Sequence, residues 1–323
     1  MSKVSEPLVS VVTPVYNGER FLAACIESVL SQSHSNLEYV ILDNASTDGS
    51  RKIINRYANC DSRIRVIRNS QLLPQIDNWN ESMRHMGEDS IYCKVIHADD
   101  LLLPECIERM VDIGEQYPSV SLIGAYRIDG RGIGMTGIEY PTEFVKGREL
   151  ARARLLGRIP DVFGSPTSVM YRSSAVRARG DDFYNRHNPH ADTEACFALL
   201  QDGDYGFVQQ ILTFTRRHAG AETLAMRAQG THNIGRIRIA RDLGPAFLNA
   251  QEHRQAMDLQ LRYYYGYLAS NLRRLADSGF RQETDALFAS CDSRLRLSKL
   301  SISAARSWYR GAAERLGRLF RAI

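Results

Sequence analysis

No stretch of the 323 residues approaches the roughly 18 to 20 consecutive apolar positions that a membrane-spanning helix needs. The opening "MSKVSEPLVSVVTPVYN" also lacks the charged, apolar and cleavage regions of a signal peptide. A cytoplasmic location is the resulting expectation. The six cysteines, Cys25, Cys60, Cys93, Cys106, Cys196 and Cys291, include no pair at CxxC spacing, which excludes a zinc ribbon and a dithiol redox pair. Reduced, mostly buried thiols are expected instead. The first strand-to-helix turn holds one glycine, Gly18, and so offers neither GxGxxG nor GxxxxGK[ST]. A nicotinamide dehydrogenase and a P-loop enzyme are both disfavoured.

Charge is unevenly placed. The chain carries +4 in total, yet residues 294–323 hold eight Lys/Arg against one acid, Glu314, leaving 33 bases and 36 acids in the remainder. A weakly acidic body with a basic tail is unlike a nucleic-acid binder, whose basic stripe crosses the fold. Hydrophobic residues make up 44% and charged residues 24%, as in ordinary globular chains.

"LVSVVTPVYN" is a β-branched run, and the segment after it places Phe21, Leu22, Cys25, Ile26, Val29 and Leu30 at helical spacing. The plan repeats with a strand at 37–42 and a helix near 49–58, then the strand "RIRVIRN" and a helix around 76–86, and a fourth strand in "SIYCKVIHADD". Such alternation predicts an α/β fold with a mostly parallel sheet covered on both faces. From about 120 to 220 the pattern loosens: strand "SLIGAY", a helix near 147–156, "GSPTSVMYR", a helix begun by "HADTEACFALLQ" and strand "YGFVQQILTFTRRH". Beyond about 230 the text is helical. The expected boundary falls near 225–235, giving domains 1–228 and 229–323.

Ligands of parallel sheets gather outside the carboxyl ends of the strands. Three strands end there in polar residues: Thr13 to Asn17, Asp43 to Ser46, and His97 to Asp100. Tyr16 is able to stack on a nucleobase, or to pack on the following helix. Asp43 is able to accept the ring N–H of a pyrimidine; the alternative is that Asp43 or Asp48 caps the next helix. In "VIHADDLLLPE", Asp99 and Asp100 are adjacent carboxylates at the edge of a core, where both repulsion and lost hydration need a positive partner. Mg²⁺ or Mn²⁺ beside a polyphosphate supplies one. The alternative is that Asp100 caps the helix begun near Pro104.

The Thr-Pro-x-Tyr-Asn strand end, the Asp-x-x-Ser-x-Asp-Gly-Ser loop and the paired aspartates, in that order over residues 8–110, resemble the nucleotide-binding half of the inverting family 2 glycosyltransferases, with the fold called GT-A. The resemblance divides 1–228 into a nucleotide-sugar-binding half, 8–110, and an acceptor and catalytic half, 111–228. It implies that Thr13, Pro14 and Tyr16 hold the base, that Asp43 contacts it, that Asp99 lies by the ribose and metal, and that Asp100 ligates the metal. Many relatives carry Asp-x-Asp where this chain has His97, which bears on ion preference. In "NPHADTEACFALL" the resemblance implies Asp192 as catalytic base, with Glu194 as the alternative and a helix cap as the bland reading of Asp192. Arg217 and His218 in "FTRRHAG" match a stretch facing the diphosphate, His218 also as an additional metal ligand; a solvated basic turn is the alternative. Ser165 and Thr167 match sugar contacts, Asn80 a donor contact, and Trp79 reads as core.

The reading that follows is a metal-dependent inverting glycosyltransferase using a nucleotide-diphosphate sugar, Mn²⁺ or Mg²⁺ and a saccharide acceptor, in bacterial surface polysaccharide or other glycan synthesis. Its rivals are a sugar nucleotidyltransferase and a catalytically silent nucleotide-sugar-binding module. In the tail, Leu297, Ala304, Trp308, Ala312, Leu316, Leu319 and Ile323 share one helical face bordered by arginines. A basic amphipathic helix over 294–323 suits the anionic inner leaflet and a lipid-linked acceptor. Packing on its own domain or on a second copy in a homo-oligomer is the alternative.

Overall fold

A computed structural model describes residues 6–130, 132–218, 230–291, 293–296 and 298–303. Contacts divide these into two units: the residues up to 218 apart from Leu155–Gly157, and those three with the residues from 230 onward. Of the tail helix anticipated over 294–323, residues 297 and 304–323 lie outside the described residues.

The first unit is built on one sheet. Its opening strands are β1 (Val9–Val15), β2 (Leu37–Asp43), β3 (Ile64–Arg68) and β4 (Tyr92–Val95), all parallel. Every residue of β1 is buried, as expected of a strand covered on both faces. The intervening helices are α1 (Leu22–Leu30), α2 (Ser50–Ala58) and α3 (Gln75–Arg84). α1 buries Leu22, Cys25, Ile26 and Val29, one stripe of a 3.6-residue period, against the sheet core.

β4 is shorter than "SIYCKVIHADD" suggested, because the chain leaves the sheet at His97. There the backbone N–H is taken by Thr167 Oγ1 at 3.1 Å, and Asp100 N closes a turn on His97 O at 3.0 Å. A two-residue strand, β5 (Leu101–Leu102), and helix α4 (Cys106–Gln116) follow. The capping position of α4 is Glu105, so Asp100 does not cap it.

The later strands are β6 (Val120–Asp129), β7 (Gly132–Gly134), β8 (Phe144–Val145), β9 (Val169–Arg172) and β10 (Asp204–Thr215), with helices α5 (Gly147–Leu155), α6 (Ser173–Ala178) and α7 (Ala191–Leu199). The strand order is β3-β2-β1-β4-β9-β6-β10-β5, with β7 on β6 and β8 on β10. β9 runs antiparallel between β4 and β6, while β6 and β10 are parallel. The result is the mixed, mostly parallel α/β sheet anticipated from the sequence.

The second unit contains α8 (Thr231–Asp242), α9 (Gly244–Phe247), α10 (Ala250–Ser270) and α11 (Ser278–Ala289). α10 begins at a capping box in which Asn249 accepts from Gln251 N and Glu252 N while Glu252 reaches back. Ile237, Leu261, Tyr264, Tyr265, Leu268, Leu287, Phe288 and Leu300 form its core.

Candidate active site

The loops after β1 and β2 are laced together by side chain to backbone bonds. Ser46 Oγ accepts from Asn17 N at 3.1 Å, Ser50 Oγ from Gly18 N at 2.8 Å, and Asp48 Oδ2 from Glu19 N at 2.9 Å. Asn17 Oδ1 in turn accepts from Thr47 N at 2.8 Å. The turn after β4 joins them: a Cβ on Gly18 would lie 3.4 Å from that of Ala98, so the two loops stand in van der Waals contact. Three segments far apart in sequence therefore share one sheet edge.

At that edge His97, Asp99 and Asp100 each offer a ligand atom, all within 4.8 Å of one another. Burial pushes the Asp100 carboxyl above the usual carboxylate range, and neighbouring Asp99 adds to this, while His97 and hydrogen bonds from Thr167 and Arg216 N oppose it. His97 Nε2 is buried and has no hydrogen-bond partner among the described residues. Two adjacent carboxylates beside an unpartnered imidazole nitrogen are a donor set that fits a divalent ion. The same acids are served by two nitrogen-bearing side chains just beyond the end of β10. Arg216 donates from its backbone N to Asp100 Oδ1 at 3.0 Å and from Nε to Asp99 O at 2.9 Å. His218 Nε2 donates to Asp99 Oδ2 at 2.8 Å, so it touches a candidate ligand. Phe21 steadies both, with Arg216 over its ring at 4.5 Å and the His218 ring 5.1 Å away.

The other expected residues fall into two groups. Tyr16 stands 48% exposed at the end of β1, free to stack on a planar ligand. Asp43 closes β2 with its carboxylate buried, Oδ1 accepting from Ser46 N at 2.9 Å and Oδ2 facing the exposed Arg51 Nε at 3.4 Å. Asp192 lies in the first turn of α7, whose capping residue is His190; its Oδ1 accepts from Thr193 N at 2.7 Å. Glu194 is held by Asn185 and Asn188, one on each oxygen, which leaves Asp192 as the less encumbered acid.

Four residues are placed elsewhere. The Thr13 hydroxyl points into the core, 3.0 Å from Tyr39 OH, and Pro14 is buried in β1 behind it. Asn80 is fully buried and spends both ends of its amide on Tyr184, Nδ2 on O and Oδ1 on N, each at 2.8 Å. Arg217, unlike Arg216, makes no bond to the paired acids and binds Asp129 through Nε and Nη2. That pairing holds its guanidinium above the ordinary pKa of arginine.

Three neighbours of the site were not singled out for it from the sequence. Nothing in the sequence separates Arg216 from its neighbour Arg217, since both follow the end of β10. Trp79, read as core, is only partly buried; its indole stacks on the His97 ring, centroids 5.2 Å apart, and meets Tyr184 edge-on at 5.4 Å. Lys94, in the middle of an apolar strand, gave no signal beyond being a lone charge there.

Comparison with known proteins agrees with this geometry. The profile of glycosyl transferase family 2 matches residues 10–180. EpsE of Bacillus subtilis (strain 168), which carries the name of a glycosyltransferase, is 31% identical over 67% of this chain and 76% of its own. TuaG of the same organism, named for teichuronic acid biosynthesis, is 47% identical over 62 residues, covering 19% of this chain and 25% of its own. Among solved structures, S. aureus TarS 1–349 in complex with UDP-GlcNAc superposes with a TM-score of 0.61 at 14% identity, over 87% of this chain and 79% of that one. The mannosyltransferase PcManGT from Pyrobaculum calidifontis, in complex with GDP-Man and Mn²⁺, gives 0.55 at 11% identity, over 95% and 88%. The chain is a member of glycosyl transferase family 2, a glycosyltransferase on the GT-A fold.

Proposed function

We propose that the chain moves a sugar from a nucleotide-diphosphate donor to an acceptor hydroxyl, with inversion and with a divalent ion, in the synthesis of a bacterial surface polysaccharide or related glycan. The observation that carries this reading is the gathering of His97, Asp99 and Asp100 with Arg216 and His218 at the carboxyl edge of the sheet. TarS, similar in fold, is in complex with UDP-GlcNAc and PcManGT with GDP-Man and Mn²⁺, and TuaG is named for teichuronic acid biosynthesis.

Within this reading Tyr16 stacks on the base and Asp43 accepts its ring N–H, exchanging the long contact to Arg51 for it. His97, Asp99 and Asp100 would hold a divalent ion, which when bound would supply positive charge beside the diphosphate. Arg216 and His218 keep Asp99 and Asp100 in place, and the Arg216 guanidinium adds positive charge on the same side. Asp192 takes the proton of the attacking acceptor hydroxyl. Tyr184 meets Trp79 edge-on, and Trp79 stacks on His97, so aromatic rings buttress the acidic motif.

Calorimetric titration with UDP, GDP, dTDP and CDP, in Mn²⁺ and in EDTA, on wild type and Asp100→Ala tests the donor site. Metal-dependent binding of one nucleotide, lost in the variant, is expected. Absence of binding by the folded protein overturns the reading. The anomeric configuration of the product, read by NMR, decides inversion. The membrane as partner of 294–323 is tested by cosedimentation with anionic and neutral vesicles; only the anionic ones are expected to retain the chain.

A further inference from the structure

Lys94 is wholly buried in β4, between Val11 of β1 and Met170 of β9. Its Nζ donates to the carbonyls of Thr167 at 2.5 Å and Val169 at 2.9 Å, at the 3₁₀ turn Pro166–Ser168 that leads into β9. Burial pulls its pKa below that of an ordinary lysine, and both charge states of the amine donate these two bonds. Burying an amine is costly, and an apolar side chain of similar length would suit the surrounding core better. Stability of the sheet alone does not account for a lysine here.

What the two bonds achieve is placement. The turn they hold carries Thr167, itself fully buried, whose hydroxyl accepts the His97 N–H at 3.1 Å. The same threonine thus ends β4 and fixes the backbone of His97, on whose carbonyl Asp100 N closes its turn at 3.0 Å; its hydroxyl also favours the ionised Asp100 carboxyl. We propose that Lys94 is a positioning residue: through Thr167 it sets the geometry of His97 and Asp100, and with it the divalent-ion affinity of the site. The inference rests on the metal-dependent reading above. It assigns to a strand residue outside the motif a part of the motif's affinity, in the way that groups bonded to metal ligands tune them.

The test is a Mn²⁺ titration of the full chain followed by electron paramagnetic resonance, which needs no turnover. Lys94→Met and Thr167→Val are each expected to weaken Mn²⁺ binding about ten-fold or more. The double variant is expected to be no weaker than the worse single one, because both act on one linkage. Thr167→Ser, which keeps the hydroxyl, is expected to bind as wild type. Should Lys94→Met fail to fold, the contrast between Thr167→Val and Thr167→Ser decides. Wild-type affinity in folded Thr167→Val, or losses that multiply in the double variant, overturns the positioning role. Asp100→Ala is the control for the underlying reading: if it binds Mn²⁺ as well as wild type, the metal site itself falls, and the role of Lys94 with it.

Discussion

The indole of Trp79 lies stacked on the imidazole of His97, the two planes 26° apart. A ring held in this way presents its nitrogen in one direction, and a nitrogen among carboxylate oxygens favours transition ions over Mg²⁺. His97→Asp is therefore expected to move the preference towards Mg²⁺ by roughly ten-fold or more. Displacement of Mn²⁺ by Mg²⁺, followed by the Mn²⁺ resonance, measures the ratio; an unchanged ratio removes His97 from the ligand set.

Asp192→Asn keeps the size and the acceptor oxygen that receives Thr193 N, but not the basicity. Turnover is expected to fall about 100- to 10,000-fold with donor affinity unchanged. Glu194→Gln serves as the contrast. Because Asn185 and Asn188 occupy its oxygens, the change should lower thermal stability more than turnover per folded molecule.

Asp100 ties ligand binding to a cost in stability. Its folded pKa is raised by burial above the ordinary 3.8, so the protonated form is favoured in the folded state. Its contribution is fully present below the unfolded value and is lost as pH rises through the folded one. In EDTA at neutral pH, Asp100→Asn is expected to melt at or above the wild-type temperature while binding no Mn²⁺. Near pH 3 the two should converge. A variant less stable than wild type at neutral pH without metal would contradict this account.

Adjacent arginines should separate cleanly. Arg216→Ala removes the bond to Asp99 O and the cation over Phe21, and is expected to weaken nucleotide-diphosphate binding in Mn²⁺. Arg217→Ala breaks a partly exposed pair with Asp129 and is expected to leave that affinity within about two-fold, since such pairs contribute little. The same calorimetric titration on both variants checks the contrast.

The strand and helix order of the first hundred residues is legible because the opening strands are short apolar runs, rich in β-branched residues in β1 and β3, and each loop carries its own polar cluster. The three strand ends were likewise visible, and they do meet. Side-chain direction was harder. Thr13 and Asn80 are polar residues beside the site by sequence, yet a hydroxyl opposite Tyr39 and an amide opposite the Tyr184 backbone find complete partners only once the sheet and α3 are assembled. Lys94 escaped notice for a related reason: its partners are the backbone carbonyls of a turn more than 70 residues away, and carbonyls leave no mark in a sequence. The reversed direction of β9 is not legible in "GSPTSVMYR", because it depends on contacts with β4 and β6 rather than on its own four residues.

That reversed strand bears on how chimaeric enzymes of this family could be made. A crossover near residue 110, between the halves the motifs suggest, would sever three seams at once: β4 from β9, β5 from β10, and Lys94 from its turn. A donor half transplanted into another relative should therefore travel with its own 165–172 segment, so that nucleotide choice and the strand that buttresses it are inherited as a single module.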